Sequence, residues 1–345
     1  MRKLAEREGF EPPVSCDITG FQDQRLKPLG HLSPRTSLII IARLQSFVKG
    51  VNYEVLSLAR RAPVVLQSGR KRVMPMDSRH VVEKNQNNWD AYSGAYLRFK
   101  HSDRFIRPIL ENPARAFETA CWAQLRARFP DFTGKKVCVP SSGDNYAAIA
   151  FALLGAEVTS CDISQEQLSA GRQLAERLGL SITFLQADTM QLAGLPDAAF
   201  DLVYTSNGVH VWLSDLSAMY RNVHRILKPG GVYVMCDVHP FQRPFGENLA
   251  VVKPYSHTGP FEDEYTVNYA WRVQDFLNAM ADAGLRFLHM EEMHDEKDYE
   301  YPFWLSLEDA VNGVKVDPAE VDRLYDWRQN PAMALPAWMC VVCAK

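Results

Sequence analysis

At 345 residues, 47% hydrophobic and 23% charged, the chain has the length for one large domain or two small ones and the make-up of a globular protein. Residues 1–73 carry 13 Lys/Arg against 6 Asp/Glu and residues 74–345 carry 25 against 35, so the formal net charge of −3 conceals a basic head on an acidic body. An acidic body argues against a nucleic-acid partner, whose phosphates call for a basic face. Seven dispersed cysteines, an odd number, suggest a reducing compartment such as the cytoplasm. The CxxC at Cys340–Cys343 falls on an expected strand, where positions i and i+3 face opposite ways, which is poor metal-site geometry.

Residues 1–73 show no sustained helical or strand period and are rich in Pro, Gly and polar residues. Ser37–Ala42 (SLIIIA) is apolar but too short to span a membrane, and no secretory cleavage pattern follows it. The string GFEPPV…DQRLKPLGHLS resembles what appears when a tRNA gene is translated as coding sequence. That resemblance implies a true start at Met74 or Met76, with residues 1–75 a spurious or disordered extension. The other reading is a disordered basic arm that is made.

The folded part is expected from about Asp77. Trp89, Tyr92, Tyr96 and Phe99 recur at helical spacing, an aromatic stripe suited to core packing or to a lid. A second helical stretch is read over Asn112–Arg128, so residues 76–135 form a helical lid segment ahead of the main domain at 136–345. There, Val137–Val139 is a short apolar run that breaks at Pro140, and Ser141–Asn145 is turn chemistry. Tyr146–Leu154 is apolar almost all round, a buried helix that stops at Gly155, and Glu157–Cys161 reads as the next strand, ending at Asp162. Such a βαβ unit sets the turn at the carboxyl end of the first strand, with backbone N–H groups facing a ligand. Asp162, 19 positions after Gly143, stands where a carboxylate can accept both hydroxyls of an adenosine ribose.

Ser164 is the N-cap candidate for an amphipathic helix closed by Gly179. Strands are expected at Ser181–Leu185, Phe200–Thr205 and Val232–Cys236, with a helix from about Leu213 to Leu227 that Lys228–Gly231 (KPGG) stops and turns. Residues 238–269 read as a loop or hairpin insertion. A helix at Trp271–Gly284 and a strand at Leu285–Met293 follow, then a second insertion at about 295–336 with an aromatic loop and a short helix, and a last strand at Trp338–Ala344. The fold expected is α/β: a doubly wound, mainly parallel, seven-stranded sheet with a terminal antiparallel strand pair.

From Asn87 to Lys345 the chain resembles a class I S-adenosylmethionine-dependent methyltransferase. The resemblance rests on the strand-one loop, Asp162, Asp188 in LQADTM, LKPGG before strand five and the terminal strand pair. It implies S-adenosyl-L-methionine as cofactor, its methionine part held by Pro140, Ser141, Ser142, Gly143 and Asp144. Asp162 would bind the ribose and Ile163 pack on adenine, with Asp188, Thr189 and Met190 near the adenine amino group. The segment Ser206–Trp212, Asn207 included, would lie under the methyl group, and Tyr92 and Tyr96 would serve as a lid over the cofactor mouth.

The loop departs from the family's D/E-x-G-x-G-x-G. Val139 replaces the acid, Ser141 the first glycine and Asn145 the last, with only Gly143 kept; the serines offer hydroxyls besides N–H groups. If the acceptor is a hydroxyl, a general base helps, and His210 and His239, at the carboxyl ends of strands four and five, are the candidates; a hydrogen-bonded loop histidine is the plain alternative for each. Trp212, Phe241, Tyr301, Phe303 and Trp304 are candidates to wall an apolar acceptor pocket. The activity implied is methyl transfer to a small molecule by in-line displacement. A nicotinamide dehydrogenase would need the glycine fingerprint that SSGDNYA lacks. A DNA amino-methylase would show Asn-Pro-Pro-aromatic where this chain has TSNGVHVW. The rival is a non-catalytic scaffold that has lost cofactor binding.

Overall fold

Alternating residues along the central strands feed two separate cores. Val137 and Val139 face one layer and Cys138 the other; Leu202 and Tyr204 oppose Val203, and Val234 and Cys236 oppose Tyr233 and Met235. Burial on both faces is what a parallel sheet wound by helices requires. The computed structural model describes residues 78–345 except 247–248, 301, 303–304, 306–308 and 311–312, and except the side chain of Ala95. The expectations for residues 1–75 and for Tyr301, Phe303 and Trp304 lie outside the described residues.

The sheet is built from β1 (Lys136–Val139), β2 (Glu157–Asp162), β3 (Ile182–Gln186), β4 (Phe200–Ser206), β5 (Leu227–Val238), β8 (Arg286–Met293) and β9 (Trp338–Ala344). Its order is β3-β2-β1-β4-β5-β9-β8; β9 runs antiparallel to both neighbours and the other pairings are parallel. The expected α/β sheet and terminal antiparallel pair are therefore present. A short hairpin, β6 (Phe261–Glu262) with β7 (Val267–Asn268), lies in the first insertion. Cys340 joins one core and Cys343 the other, and the six described cysteines are free and buried.

The helices are α1 (Ser78–Lys100), α2 (Asp103–Glu111), α3 (Thr119–Arg128), α4 (Tyr146–Leu153), α5 (Gln165–Leu178), α6 (Leu216–Ile226), α7 (Val273–Asp282) and α8 (Pro318–Leu324). Residues of α3, α4 and α5 pack on one face of the sheet and residues of α6 and α7 on the other. No described helix is long and apolar enough to cross a membrane.

Two local readings are corrected. The expected helix over 112–128 breaks: a 3-10 turn at Pro113–Ala116 precedes extended backbone at Phe117 and Glu118, and α3 starts only at Thr119. Phe117 explains the break. Its ring is buried against Trp122, Phe151 and Tyr204, a position that continuing the helix would forfeit. Consequently α3 belongs to the sheet's helical layer, and α1 is the helix that covers the carboxyl edge. The KPGG stretch is also not a simple turn. Leu227 pairs with Phe200 and Val232 with Leu202, so residues 228–231 bulge within β5. Gly231 has no room for a side chain, since a Cβ there would stand 2.9 Å from the Lys228 carbonyl.

Helix α1 is fastened by apolar and polar contacts together, Val81 packing in a buried cluster with Val267 and Tyr269. Asn85 is buried; its Oδ1 accepts the Val267 N–H and its Nδ2 donates to the Val267 carbonyl, both at 2.9 Å. In effect an amide side chain extends the hairpin by one ladder rung. Ser164 Oγ donates to Asp90 at 2.6 Å, and His101 Nε2 donates to the Asp144 carbonyl at 2.8 Å. Asn85→Ala leaves two buried backbone groups of Val267 unpaired, so it should cost about 2 kcal/mol in urea denaturation of the full chain. A change below about 0.5 kcal/mol, within the range of an ordinary surface substitution, would show that the lid does not depend on this anchor.

Candidate functional site

Strand order reverses between β1 and β4, and a cleft opens at the carboxyl ends of the strands there, the expected address in a doubly wound sheet. Its unfilled space, open mouth included, is about 1040 Å³. The wall includes Ser141, Ser142, Gly143, Asp144, Asp162, Ile163, Asp188, Thr189, Met190 and Asn207, with Tyr96, Trp89 and Trp212 at the lid side. The structure thus brings together most of the residues singled out from sequence. It does not bring Pro140 or Tyr92 to the wall: Pro140 is buried behind the loop, and Tyr92 stacks on Tyr96 at 5.2 Å. Val82, Asn85, Ala116, Tyr146 and Gln167 also line the cleft and were not anticipated as site residues.

The loop after β1 has the backbone of a glycine-rich loop with only one of its glycines. Ser141, Gly143 and Asn145 all sit at left-handed φ, +48°, +54° and +65°. A non-glycine residue in that region costs on the order of 1 kcal/mol, less for Asn. Side chains offset the cost. Ser141 and Thr189 share a hydroxyl–hydroxyl bond at 2.7 Å. Asn145 Nδ2 donates to the Gly143 carbonyl at 2.8 Å, its Oδ1 accepts from Ser160 Oγ at 2.7 Å, and Ser142 and Ser160 hydroxyls meet at 2.6 Å. The buried Asn145 side chain needs room, which α5 supplies. At Gly171 a Cβ would stand 2.7 Å from Asn145 Nδ2. A glycine inside an amphipathic helix is the sequence signal for such close approach.

Asp162, 5% exposed, ends β2 at the cleft wall. Oδ2 accepts the Gly143 N–H and Oδ1 the Ser164 N–H, each at 3.0 Å. Burial pushes its carboxyl up to about 6, against the pull of these N–H groups, so near neutral pH it is a buried anion with acceptor capacity to spare. Asp188 Oδ1 accepts the Met190 N–H at 2.8 Å and Oδ2 accepts from Gln191 Nε2 at 3.1 Å; burial raises this carboxyl too. The cleft therefore offers two desolvated carboxylates and left-handed loop backbone, a set suited to hydroxyl and amino donors.

Residues 140–235 match the family model described as a methyltransferase domain. Within that stretch, about a quarter of the chain, the sequence is that of a methyltransferase domain. It is 29% identical over 150 residues to a sterol 24-C-methyltransferase of Aspergillus fumigatus, covering 41% of this chain and 37% of that one. It is 24% identical over 178 residues to the tRNA 5-carboxymethoxyuridine methyltransferase of Escherichia coli, covering 47% and 68%. A solved S-adenosylmethionine-dependent methyltransferase from Mesorhizobium loti aligns with 66% of this chain and 98% of its own at 24% identity and a TM-score of 0.47. The chain thus spans little more than a third of the sterol enzyme it matches.

Neither histidine singled out from sequence lines the methyltransferase cleft. His210, 1% exposed, donates from Nδ1 to Asp237 Oδ2 at 2.5 Å, and its Nε2 lies 3.5 Å from the Tyr233 hydroxyl. Burial opposes ionisation of Asp237, but the His210 ring holds its carboxyl below the usual range. The pair lines a second, small cavity beside Arg243, Trp271 and Phe276, so His210 anchors the post-β4 loop from below. His239 Nδ1 accepts the Phe241 N–H at 3.1 Å, capping a 3-10 turn, and Nε2 meets Glu292 at 2.9 Å; burial lowers its pKa. Phe241 packs on His239 and Tyr255, whereas Trp212 does line the cleft, edge-on to Trp89 at 5.5 Å. Among the described residues no cluster could hold a metal ion.

Because Asn145 fills the space over Gly171, Gly171→Ala should lower stability by about 1–3 kcal/mol, the range for overpacking a core. Asn145→Gly in the same chain should restore part of the loss. A thermal-denaturation double-mutant cycle with purely additive effects would break the proposed pairing.

Proposed function

We propose that this protein transfers a methyl group from S-adenosylmethionine to a small acceptor by in-line displacement. The observation that carries the reading is Asp162, a buried carboxylate on the cleft wall that also holds Gly143 of the left-handed loop. The residues present fit the cofactor's polar parts: ribose hydroxyls can donate to the remaining lone pairs of Asp162, and the adenine amino group to Asp188. Ile163 and Met190 supply apolar surface for the base, and the loop at Ser141–Asp144 supplies N–H groups and hydroxyls for the amino-acid portion. S-adenosylmethionine, when bound, would supply an electrophilic methyl carbon to the acceptor's lone pair, its sulfur keeping the bonding electron pair and the acceptor losing a proton.

For such a reaction the protein's work is alignment and exclusion of water. Helix α1 does the second, since Asn85, Trp89 and Tyr96 cover the cleft and Asp90 and His101 tie the helix to α5 and the loop. No described histidine lines the wall, so the two histidines expected as general bases are not in place for that role. Relatives are named for a sterol and for a tRNA nucleoside, so the acceptor does not transfer by similarity. The substituted glycine loop would favour a scaffold only if its backbone had collapsed. It keeps three left-handed residues, and nothing else favours that reading.

Two outcomes test the cofactor assignment by calorimetric titration of the full chain with S-adenosylmethionine. Asp162→Ala should weaken binding about 100-fold, the loss of two charge-assisted hydrogen bonds; unchanged affinity in a folded variant would overturn the ribose role. For the wild type, donor hydroxyls favour the ionised carboxylate. Affinity should therefore be flat above pH 6 and fall as the pH drops through about 6, where free Asp162 takes up a proton. Affinity that rises on acidification would contradict the assignment.

A further inference from the structure

The cleft wall holds a buried polar side chain that the fold itself does not use. Gln167 is 2% exposed, lines the cleft and sits in the first turn of α5. Its backbone N–H donates to Ser164 Oγ at 3.1 Å, but among the described residues its side-chain amide has no hydrogen-bond partner. Other polar groups on the wall are committed to the protein: Asn85 to Val267, Ser141 to Thr189, Ser142 to Ser160, and Asp144 Oδ1 to the Tyr146 N–H.

The reason lies in how α5 is capped. Ser164 with Gln167 three positions on has the spacing of a capping box, in which the glutamine side chain returns to the N–H of the capping serine. Here that N–H is taken by Asp162 Oδ1 at 3.0 Å. Asp162 therefore displaces the Gln167 amide from its local partner and frees it for the cleft. The displaced amide stays near the carboxylate. A Cβ at Gly143 would stand 3.9 Å from Gln167 Oε1, and the Gly143 N–H donates to Asp162 Oδ2 at 3.0 Å. A buried amide without a partner is costly unless a ligand completes it.

Resting on the methyltransferase reading above, we propose that Gln167 reads the cofactor's ribose, its amide donating to the oxygen of a hydroxyl whose hydrogen goes to Asp162. A carboxylate can only accept, so a hydroxyl that donates to Asp162 keeps lone pairs that a covered cleft leaves unmet. Gln167 Nε2 supplies the missing donor, and Oε1 remains as an acceptor. The two side chains divide the work: Asp162 takes hydrogens and Gln167 meets an oxygen. A site that pairs both sides of a hydroxyl rejects a ligand lacking it, because the site's own buried groups are then left unpaired. Gln167 thus makes the cleft specific for a ribonucleoside over its deoxy counterpart.

The test is calorimetric titration of the full chain, wild type and Gln167→Met, with S-adenosylhomocysteine and its 2′-deoxy and 3′-deoxy analogues. Gln167→Met should weaken S-adenosylhomocysteine about fivefold, the loss of one neutral hydrogen bond. For the analogue lacking the hydroxyl that Gln167 reads, the same substitution should change affinity less than about twofold, so that variant and analogue are coupled. The variant should melt no lower than the wild type, since methionine fills similar space and removes an unpaired amide. Gln167→Asn, which shortens the reach by one methylene, should show the same coupling. An equal loss for all three ligands, an unchanged S-adenosylhomocysteine affinity, or a Gln167→Met variant that melts well below the wild type would overturn the inference. Failure of S-adenosylhomocysteine to bind the wild type would instead strike the cofactor assignment, so the two failures are separable.

Discussion

The Asp162 carboxylate is the point on which the site depends. It accepts one N–H from the loop after β1 and one from Ser164, the residue that caps α5; the Ser164 hydroxyl in turn donates to Asp90 of the lid. A single side chain thus fixes loop, helix start and, at one remove, lid. Burial makes the ionised form expensive, and the two N–H groups only partly offset that. A group held in this way is costly for folding and useful for binding, because ligand hydroxyls can complete its hydrogen bonds with little rearrangement.

Glycine at a left-handed position trades packing for freedom, and here the trade is reversed twice. Ser141 and Asn145 accept backbone strain and recover it through Thr189, Ser160 and the Gly143 carbonyl. The glycine has in effect moved from the loop to α5, where Gly171 makes space for the Asn145 amide. The loop is consequently stiffened by side-chain bonds rather than left free to adapt, so its N–H groups are already oriented before any ligand arrives.

The frame was legible where hydrophobic period and turn chemistry agreed. Six of the seven sheet strands were readable as short runs with β-branched residues, β8 being a mixed stretch without them, and Ser164 and Gly179 bracketed α5 as N-cap and left-handed C-cap. The cleft's carboxylates followed from their place at the ends of β2 and β3. Reading failed where tertiary packing outweighs local preference. Phe117 interrupts a helix-favouring run because its ring is worth more under the sheet. The buried face of α1 mixes Val81 and Leu97 with Asn85, Asn88 and Ser93, so no unbroken apolar period marked Asn85 or Val82 as cleft residues.

The two histidines show the limit of address as evidence. Both occupy the carboxyl ends of strands, yet each ring nitrogen is spent on the protein: His210 on Asp237 and Tyr233, His239 on Phe241 and Glu292. Their placement constrains the chemistry more than a base in the cleft would. Asn207 and Gly208 sit at consecutive left-handed φ above His210, and such a turn persists only if held from behind. The His210–Asp237 pair holds it by side chain and by the His210 N–H, at 3.3 Å from the same carboxylate oxygen. With their ring nitrogens committed to the protein, the two histidines hold the shape of the cleft's rim rather than supply a base to its wall.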